Sequence, residues 1–292
     1  MQPVITDDGL PLHLHAWPAR EQAGARASRG TAVLVHGLGE HIARYDHVAR
    51  RLNALGFDVV GYDHRGHGRS PGQRGGAPAE LSLCADLGAV VRAARAEFPG
   101  PLVLIGHSMG GLTAGRFVAE GLASRPAAWW QPVDALVMSS PALDPGTNAF
   151  QKMLLAIVAP TLPNLAVGNG LKVDWISRSP QVVKAYADDP LVHDRVTGRL
   201  GLFFARQGPA VIAAAPRWTT PTLLMWAGAD LCLAPRGSAA FAAGAPKNVL
   251  TAREWPGLYH EIFNEPEQAA VFAAMSDWLV AQLPEHSTAA TA

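Results

Sequence analysis

The sequence is short of cysteine, of net charge and of long apolar runs. Two cysteines, Cys84 and Cys232, occur in 292 residues. They lie far apart and match no metal-ligand spacing, so no disulfide framework or thiolate metal centre organises the chain, and a reducing compartment is expected. Lysine plus arginine equal aspartate plus glutamate at 24 each. A balanced chain has no electrostatic footprint for nucleic acid or an anionic surface. The longest apolar stretch, residues 153–159, stops at Pro160, far short of the roughly 20 residues a bilayer span needs. The first ten residues carry Asp7 and Asp8 and neither the basic nor the apolar region of a secretory signal. A cytoplasmic protein is expected. Nothing in the composition asks for a cofactor or a metal, and the oligomeric state is left open.

What is abundant is apolar surface. Hydrophobic residues make up 49% of the chain and charged residues 16%, a supply that suits a sheet buried on both faces. Short Val/Leu/Ile-rich runs at residues 31–35, 58–62, 102–105, 135–138, 223–226 and 249–254 read as buried strands. Residues 12–17 alternate like an early antiparallel strand after an Asp7-Asp8-Gly9 turn. Helical patterns fall between them, at 47–55, 79–98, 110–122, 237–243 and 266–283. Such alternation predicts an α/β fold: a mostly parallel sheet with helices on both faces.

The rhythm breaks once. After Ser139-Ser140-Pro141 the next good strand begins only near Thr222. The expected organisation is a core from residues 1–141 and 218–283, an inserted helical cap at 142–217 without a sheet of its own, and a frayed tail at 284–292. Residues 20–30 read as a surface loop.

Two stretches match Gly-x-Ser-x-Gly, at 68–72 and 106–110. The pattern alone is weak in a glycine-rich chain, so context must separate them. A nucleophile elbow needs a strand before the serine, a helix after it, and a free N–H on the following residue. Ser108 has all three, with Met109 as the N–H donor. Ser70 is followed by Pro71, which has no N–H, and is preceded by a loop. Ser108 is therefore the candidate nucleophile. In such an arrangement the acid and the base follow at later strand ends. Asp230, in Gly228-Ala229-Asp230 after the 223–226 strand, is the candidate acid. His260, in the loop after the 249–254 strand, is the candidate base.

The second oxyanion donor is expected from the loop His36-Gly37-Leu38-Gly39-Glu40-His41, with the Leu38 N–H beside that of Met109. His36 is expected to tie this loop down by hydrogen bonds. Asp63, His64 and His67 superficially suggest a metal site, but no companion motif completes one, and a structural turn is expected. In the insert, Met153, Leu154, Leu155, Ile157, Val158, Leu162 and Leu165 either line an acyl channel or pack a helix on the sheet edge.

Taken together, these blocks resemble the monoacylglycerol lipase family of α/β-hydrolases. The resemblance rests on residues 36–41 with Arg44-Tyr45, on Asp63-His64-Arg65-Gly66-His67-Gly68-Arg69-Ser70, and on residues 106–111. It also rests on Ser140-Pro141, Leu162-Pro163-Asn164-Leu165, Asp189-Pro190-Leu191 and Tyr259-His260-Glu261. It covers residues 31–279. It implies hydrolysis of monoacylglycerols to glycerol and fatty acid, and an apolar lid that touches membranes transiently. A lipid ester is the implied partner, and the cytoplasmic protein would be peripheral at the membrane.

By resemblance Glu40, Arg44 and Tyr186 surround the glycerol pocket, although Glu40 and Arg44 are four apart and can pair with each other. Leu231 stands where the family often has arginine, and the insert diverges after Gly168. Cys232 is close to a candidate triad residue, which raises the question of thiol sensitivity. A broader carboxylesterase or lysophospholipase is the enzymatic alternative. A catalytically silent receptor or scaffold is the non-enzymatic one.

Overall fold

The computed structural model describes residues 3–19, 29–146, 157 and 159–284. In chain order its strands are β1 (Val4–Ile5), β2 (Pro11–Leu12), β3 (Leu14–Trp17), β4 (Gly30–Val35), β5 (Phe57–Tyr62), β6 (Leu102–His107) and β7 (Ala135–Ser139). These are followed by β8 (Ala166–Gly168), β9 (Arg195–Thr197), β10 (Thr222–Ala227) and β11 (Leu250–Trp255). Helices are α1 (Asp46–Ala54), α2 (Ser82–Glu97), α3 (Met109–Glu120), α4 (Pro180–Ala187), α5 (Gly198–Ala214), α6 (Arg236–Gly244) and α7 (Gln268–Gln282).

Seven strands form the central sheet in the order β11-β10-β7-β6-β4-β5-β3. All neighbours are parallel except β3, which runs antiparallel to β5 at the edge. Every residue of β4 to β7 and of β10 is buried. Successive residues feed opposite faces, as the two-residue period of a strand requires. Val33 and Val35 join one core with Leu87, Leu112, Phe117 and Phe241 from α2, α3 and α6. Ala32 and Leu34 join another with Val48, Leu52, Phe272 and Leu279 from α1 and α7. Each buried Val, Leu or Phe side chain contributes about 1.5–3 kcal/mol.

The early strand is two strands. β2 pairs with β1 in a hairpin, and β3 joins the main sheet. The break falls at His13, whose N–H is drawn to the Ser70 hydroxyl at 2.8 Å. The decoy serine thus has a structural task. Its Oγ accepts from His13 and donates to the Asp63 carbonyl at 2.7 Å.

The expectation that residues 142–217 lack a sheet is corrected. β8 and β9 pair antiparallel within this insert. Three-residue strands joined across 26 intervening residues leave no periodic pattern to read. The insert is also continuous with the main core: Leu200, Phe203 and Val211 of α5 are fully buried in the same cluster as α3. Leu155, with Met153, Leu154 and Val158, lies outside the described residues. So do residues 20–28 of the expected loop and 285–292 of the expected tail.

Candidate active site

The chain moves outward in opposite directions from β4 and β6, so these adjacent strands flank a switch point of the sheet. Ligands gather beyond the carboxyl ends of such strands. Val35 and Gly106 are register partners. The loop after Val35 and the turn after His107 therefore leave the sheet side by side.

Ser108 occupies that turn with φ 55° and ψ −119°, a left-handed conformation that costs a non-glycine residue about 1–3 kcal/mol. Its surroundings hold it there. The Ser108 N–H donates to the Ser139 carbonyl, and its own carbonyl accepts from Leu112 and Ala142, each at 3.0 Å. The flanking glycines are obligatory. A Cβ on Gly106 would lie 2.4 Å from the Gly110 carbonyl oxygen, and one on Gly110 would lie 2.0 Å from that of Val35. The strand–turn–helix context expected for Ser108 is present, with Met109 as first residue of α3 and its N–H at the helix N-terminus.

Asp230 and His260 are brought together at the ends of β10 and β11. His260 Nδ1 lies 2.7 Å from Asp230 Oδ2. Asp230 Oδ1 accepts the backbone N–H groups of Cys232 and Leu233 at 2.8 and 3.0 Å. Burial opposes both charged forms, yet mutual attraction and hydrogen bonding prevail. His260 is held above its ordinary value, and Asp230 below the usual carboxylate range. Burial, then the nearby His260, pushes His107 down to about 4, so this second imidazole stays neutral 4.7 Å from the His260 ring.

Ser108 and His260 line one cavity of about 210 Å³. Leu38, Leu171, Val196, Phe204, Cys232 and Leu233 form most of its apolar wall. Burial, then the charge of Asp230, holds the Cys232 thiol well above its usual value, which disfavours the thiolate that alkylating reagents attack.

The loop bearing Leu38 is fixed from three sides. His36 Nε2 accepts the His64 N–H at 2.9 Å, so its Nδ1 carries the proton and donates to the Gly37 carbonyl at 2.8 Å. Glu40 Oε1 accepts the Gly37 N–H at 2.6 Å and the Tyr45 hydroxyl at 2.7 Å. From above, the His193 N–H donates to the Gly39 carbonyl at 2.8 Å. Asp63 Oδ1 and Oδ2 accept the backbone N–H groups of Ile42 and Arg69, each at 2.8 Å. It is a turn residue, as its sequence context implied.

Glu40 and Arg44, expected by resemblance around a glycerol pocket, form a buried pair beside Tyr186. Glu40 is 3% exposed and pairs with Arg44. Arg44 in turn grips Glu261 through two hydrogen bonds of 2.7 Å and covers the Tyr186 ring at 4.6 Å. Neither acid nor guanidinium reaches the wall of the cavity that holds Ser108. Glu261 was not singled out, because 217 residues separate it from Arg44 and no spacing rule links them. Tyr186 lines a neighbouring hollow with Asn169, Leu171, Asp189 and His193. Ile157 is 62% exposed and does not line the cavity.

Residues 26–267 match the family described as serine aminopeptidase, S33. A monoacylglycerol lipase of Mycolicibacterium smegmatis is 37% identical over 263 residues, spanning 87% of this chain and 89% of the relative. The phospholipase YtpA of Bacillus subtilis is 31% identical over 257 residues, 85% of this chain and 95% of its own. The crystal structure of a Paleococcus ferrophilus monoacylglycerol lipase superposes with a TM-score of 0.80 at 34% identity, covering 93% of this chain and 99% of that one.

Proposed function

From a chain that belongs to the serine aminopeptidase S33 family of serine hydrolases, we propose a monoacylglycerol lipase working through a Ser108–Asp230–His260 triad. The observation that carries this reading is the apolar cavity shared by Ser108 and His260. Among the described residues its wall contains no carboxylate to receive a peptide N-terminus, and it suits an acyl chain, each methylene of which contributes about 0.8 kcal/mol on burial.

In the proposed mechanism His260 takes the Ser108 proton and the alkoxide attacks the ester carbonyl. Asp230 keeps the imidazole oriented and stabilises its charged form. The Leu38 and Met109 N–H groups receive the developing oxyanion. The alcohol departs with the proton from His260, and water hydrolyses the acyl-enzyme by the reverse path. Residues 142–217 act as a cap over residues 1–141 and 218–283. The acyl chain runs toward a hollow lined by Leu143, Pro145, Ala205 and Ile212, which shares Pro145 and Ala205 with the cavity. The alcohol side lies toward the more polar hollow of Asn169, Tyr186, Asp189 and His193.

No helix among the described residues is long and apolar enough to cross a membrane. The insert does expose Ile157, Leu162, Leu165, Val167 and Leu171, each at least 40% accessible. We assign these exposed apolar side chains to transient contact with lipid.

The deciding experiment compares turnover of monooleoylglycerol, lysophosphatidylcholine, a short p-nitrophenyl ester and an aminoacyl anilide. The expected result is the highest kcat/KM on monooleoylglycerol. Preference for lysophosphatidylcholine would replace the monoacylglycerol reading by a lysophospholipase, and cleavage of the anilide alone would overturn both.

A further inference from the structure

Among the described residues one group of three metal-ligating side chains converges. The ligand atoms of Asp230, Cys232 and His260 all lie within 4.8 Å of one another. Sulfur, imidazole nitrogen and carboxylate oxygen make a zinc donor set, with ordinary ligand distances of about 2.0–2.3 Å. We propose that these three side chains form an inhibitory binding site for a zinc-like divalent cation, which switches the hydrolase off reversibly.

The site is well supported locally. One short loop, Asp230 to Leu233, presents both the carboxylate and the thiol, and two backbone N–H groups of that loop hold Asp230 in place. Cys232 and His260 are 8% and 6% exposed, so the donors are already positioned and largely removed from water. Both residues also line the cavity, the side from which a cation would reach them.

The bonding balances. The cation takes the place of the proton between His260 Nδ1 and Asp230 Oδ2; that proton is taken up again at His260 Nε2 by way of solvent, and only the Cys232 thiol proton is released. Thiolate, carboxylate and neutral imidazole then surround a doubly charged ion. The Nδ1–Oδ2 separation of 2.7 Å must open by about 0.7 Å to admit ligand bonds of about 2.1 Å at a tetrahedral angle. Inhibition follows from the tautomer. With Nδ1 on the metal, the remaining imidazole proton sits on Nε2, the nitrogen that must accept the Ser108 proton.

Two titrations test this. Zn²⁺ added against turnover of a short ester should inhibit, and EDTA should reverse it. In Cys232→Ser the half-inhibitory concentration, referred to that variant's own activity, should rise at least about tenfold, since even an outer-shell change costs that much metal affinity. Cd²⁺ gives a readout independent of turnover. Ultraviolet thiolate-to-metal absorption should saturate at one ion per chain in the wild type, in Ser108→Ala and in Cys84→Ala. It should vanish in Cys232→Ser and need at least about tenfold more Cd²⁺ in His260→Ala. Equal Zn²⁺ sensitivity of wild type and Cys232→Ser, or no cadmium absorption in the wild type, would overturn the site. A chain that binds Cd²⁺ this way yet hydrolyses no ester would sink the proposed activity and leave the metal site standing.

Discussion

Arg44 and Glu261 face each other through two parallel hydrogen bonds of 2.7 Å, and this pair joins two loops that the proposed catalysis must keep in register. Glu261 follows His260 directly. Arg44 also holds Glu40, which in turn holds the Gly37 N–H. A single guanidinium thus connects the loop of residues 36–41 to the loop that carries His260.

Replacing Arg44 strands two buried carboxylates. Arg44→Met is expected to destabilise the fold by about 3–5 kcal/mol, the usual cost of breaking one side of a buried ion pair, measured by urea denaturation. Arg44→Lys should recover little, because an ammonium cannot make the bidentate contact. Against burial, Arg44 holds Glu40 at about 2 rather than its usual 4.5. The Glu40 contribution is therefore complete above pH 4.5 and is lost as pH falls toward 2. An Arg44→Met protein as stable as the wild type would show the network to be dispensable.

The two serines in matching pentapeptides should separate cleanly. Ser108→Ala is expected to lower kcat about a millionfold. Ser70→Ala should keep most turnover and lose about 1–3 kcal/mol of stability, because the His13 N–H loses its acceptor. Ser108→Gly should be the more stable inactive variant, since glycine adopts φ 55° without strain. Comparable loss of turnover from Ser70→Ala and Ser108→Ala would contradict the assignment.

The acid limb of the pH–rate profile should report His260, the proposed base. The base must be neutral to act, and Asp230 holds His260 above its ordinary value of 6.5 despite burial. Thus kcat/KM should be full above that raised value and fall about tenfold per unit as pH drops below it. Asp230→Asn removes the attraction, so the limb should move to lower pH while kcat falls by about ten-thousandfold. An unmoved limb in Asp230→Asn would mean that another group titrates.

Lipid contact is testable on the described part of the insert. Leu162→Asp with Leu165→Asp, both at half-exposed positions, should weaken co-sedimentation with phosphatidylcholine vesicles roughly tenfold or more, since each buried leucine is worth about 1.5–3 kcal/mol. Turnover of a short soluble ester should hold. Unchanged sedimentation would remove this surface from the proposal.

The sheet was legible because β4 to β7 and β10 are buried on both faces, whereas β11, expected to be buried, exposes residues 251–254. Residues such as 31–35 and 102–105 form apolar runs that no amphipathic element would carry, and each observed strand begins or ends within about two residues of the expected one. The Ser108 turn was legible because its chemistry is local: strand, glycine, serine, free N–H, glycine and helix lie in sequence. Asp230 and His260 could be ordered along the chain but not measured, and the structure supplies their 2.7 Å contact. Arg44–Glu261, β8–β9 and the Val196 and Phe204 wall arise from residues distant in sequence. They depend on how loops fold back across the sheet, which no local period encodes.

Gly39 has φ +79°, and a Cβ there would lie 2.3 Å from the His193 carbonyl oxygen. The freedom of a core residue is thus set by a residue of the insert 154 positions later. In this chain any replacement for residues 142–217 that lowers its backbone onto residue 39 requires glycine there, and another residue at 39 rejects the replacement. Chimeras and directed-evolution libraries should therefore treat residues 36–41 and 186–193 as one inherited block, cut together or not at all.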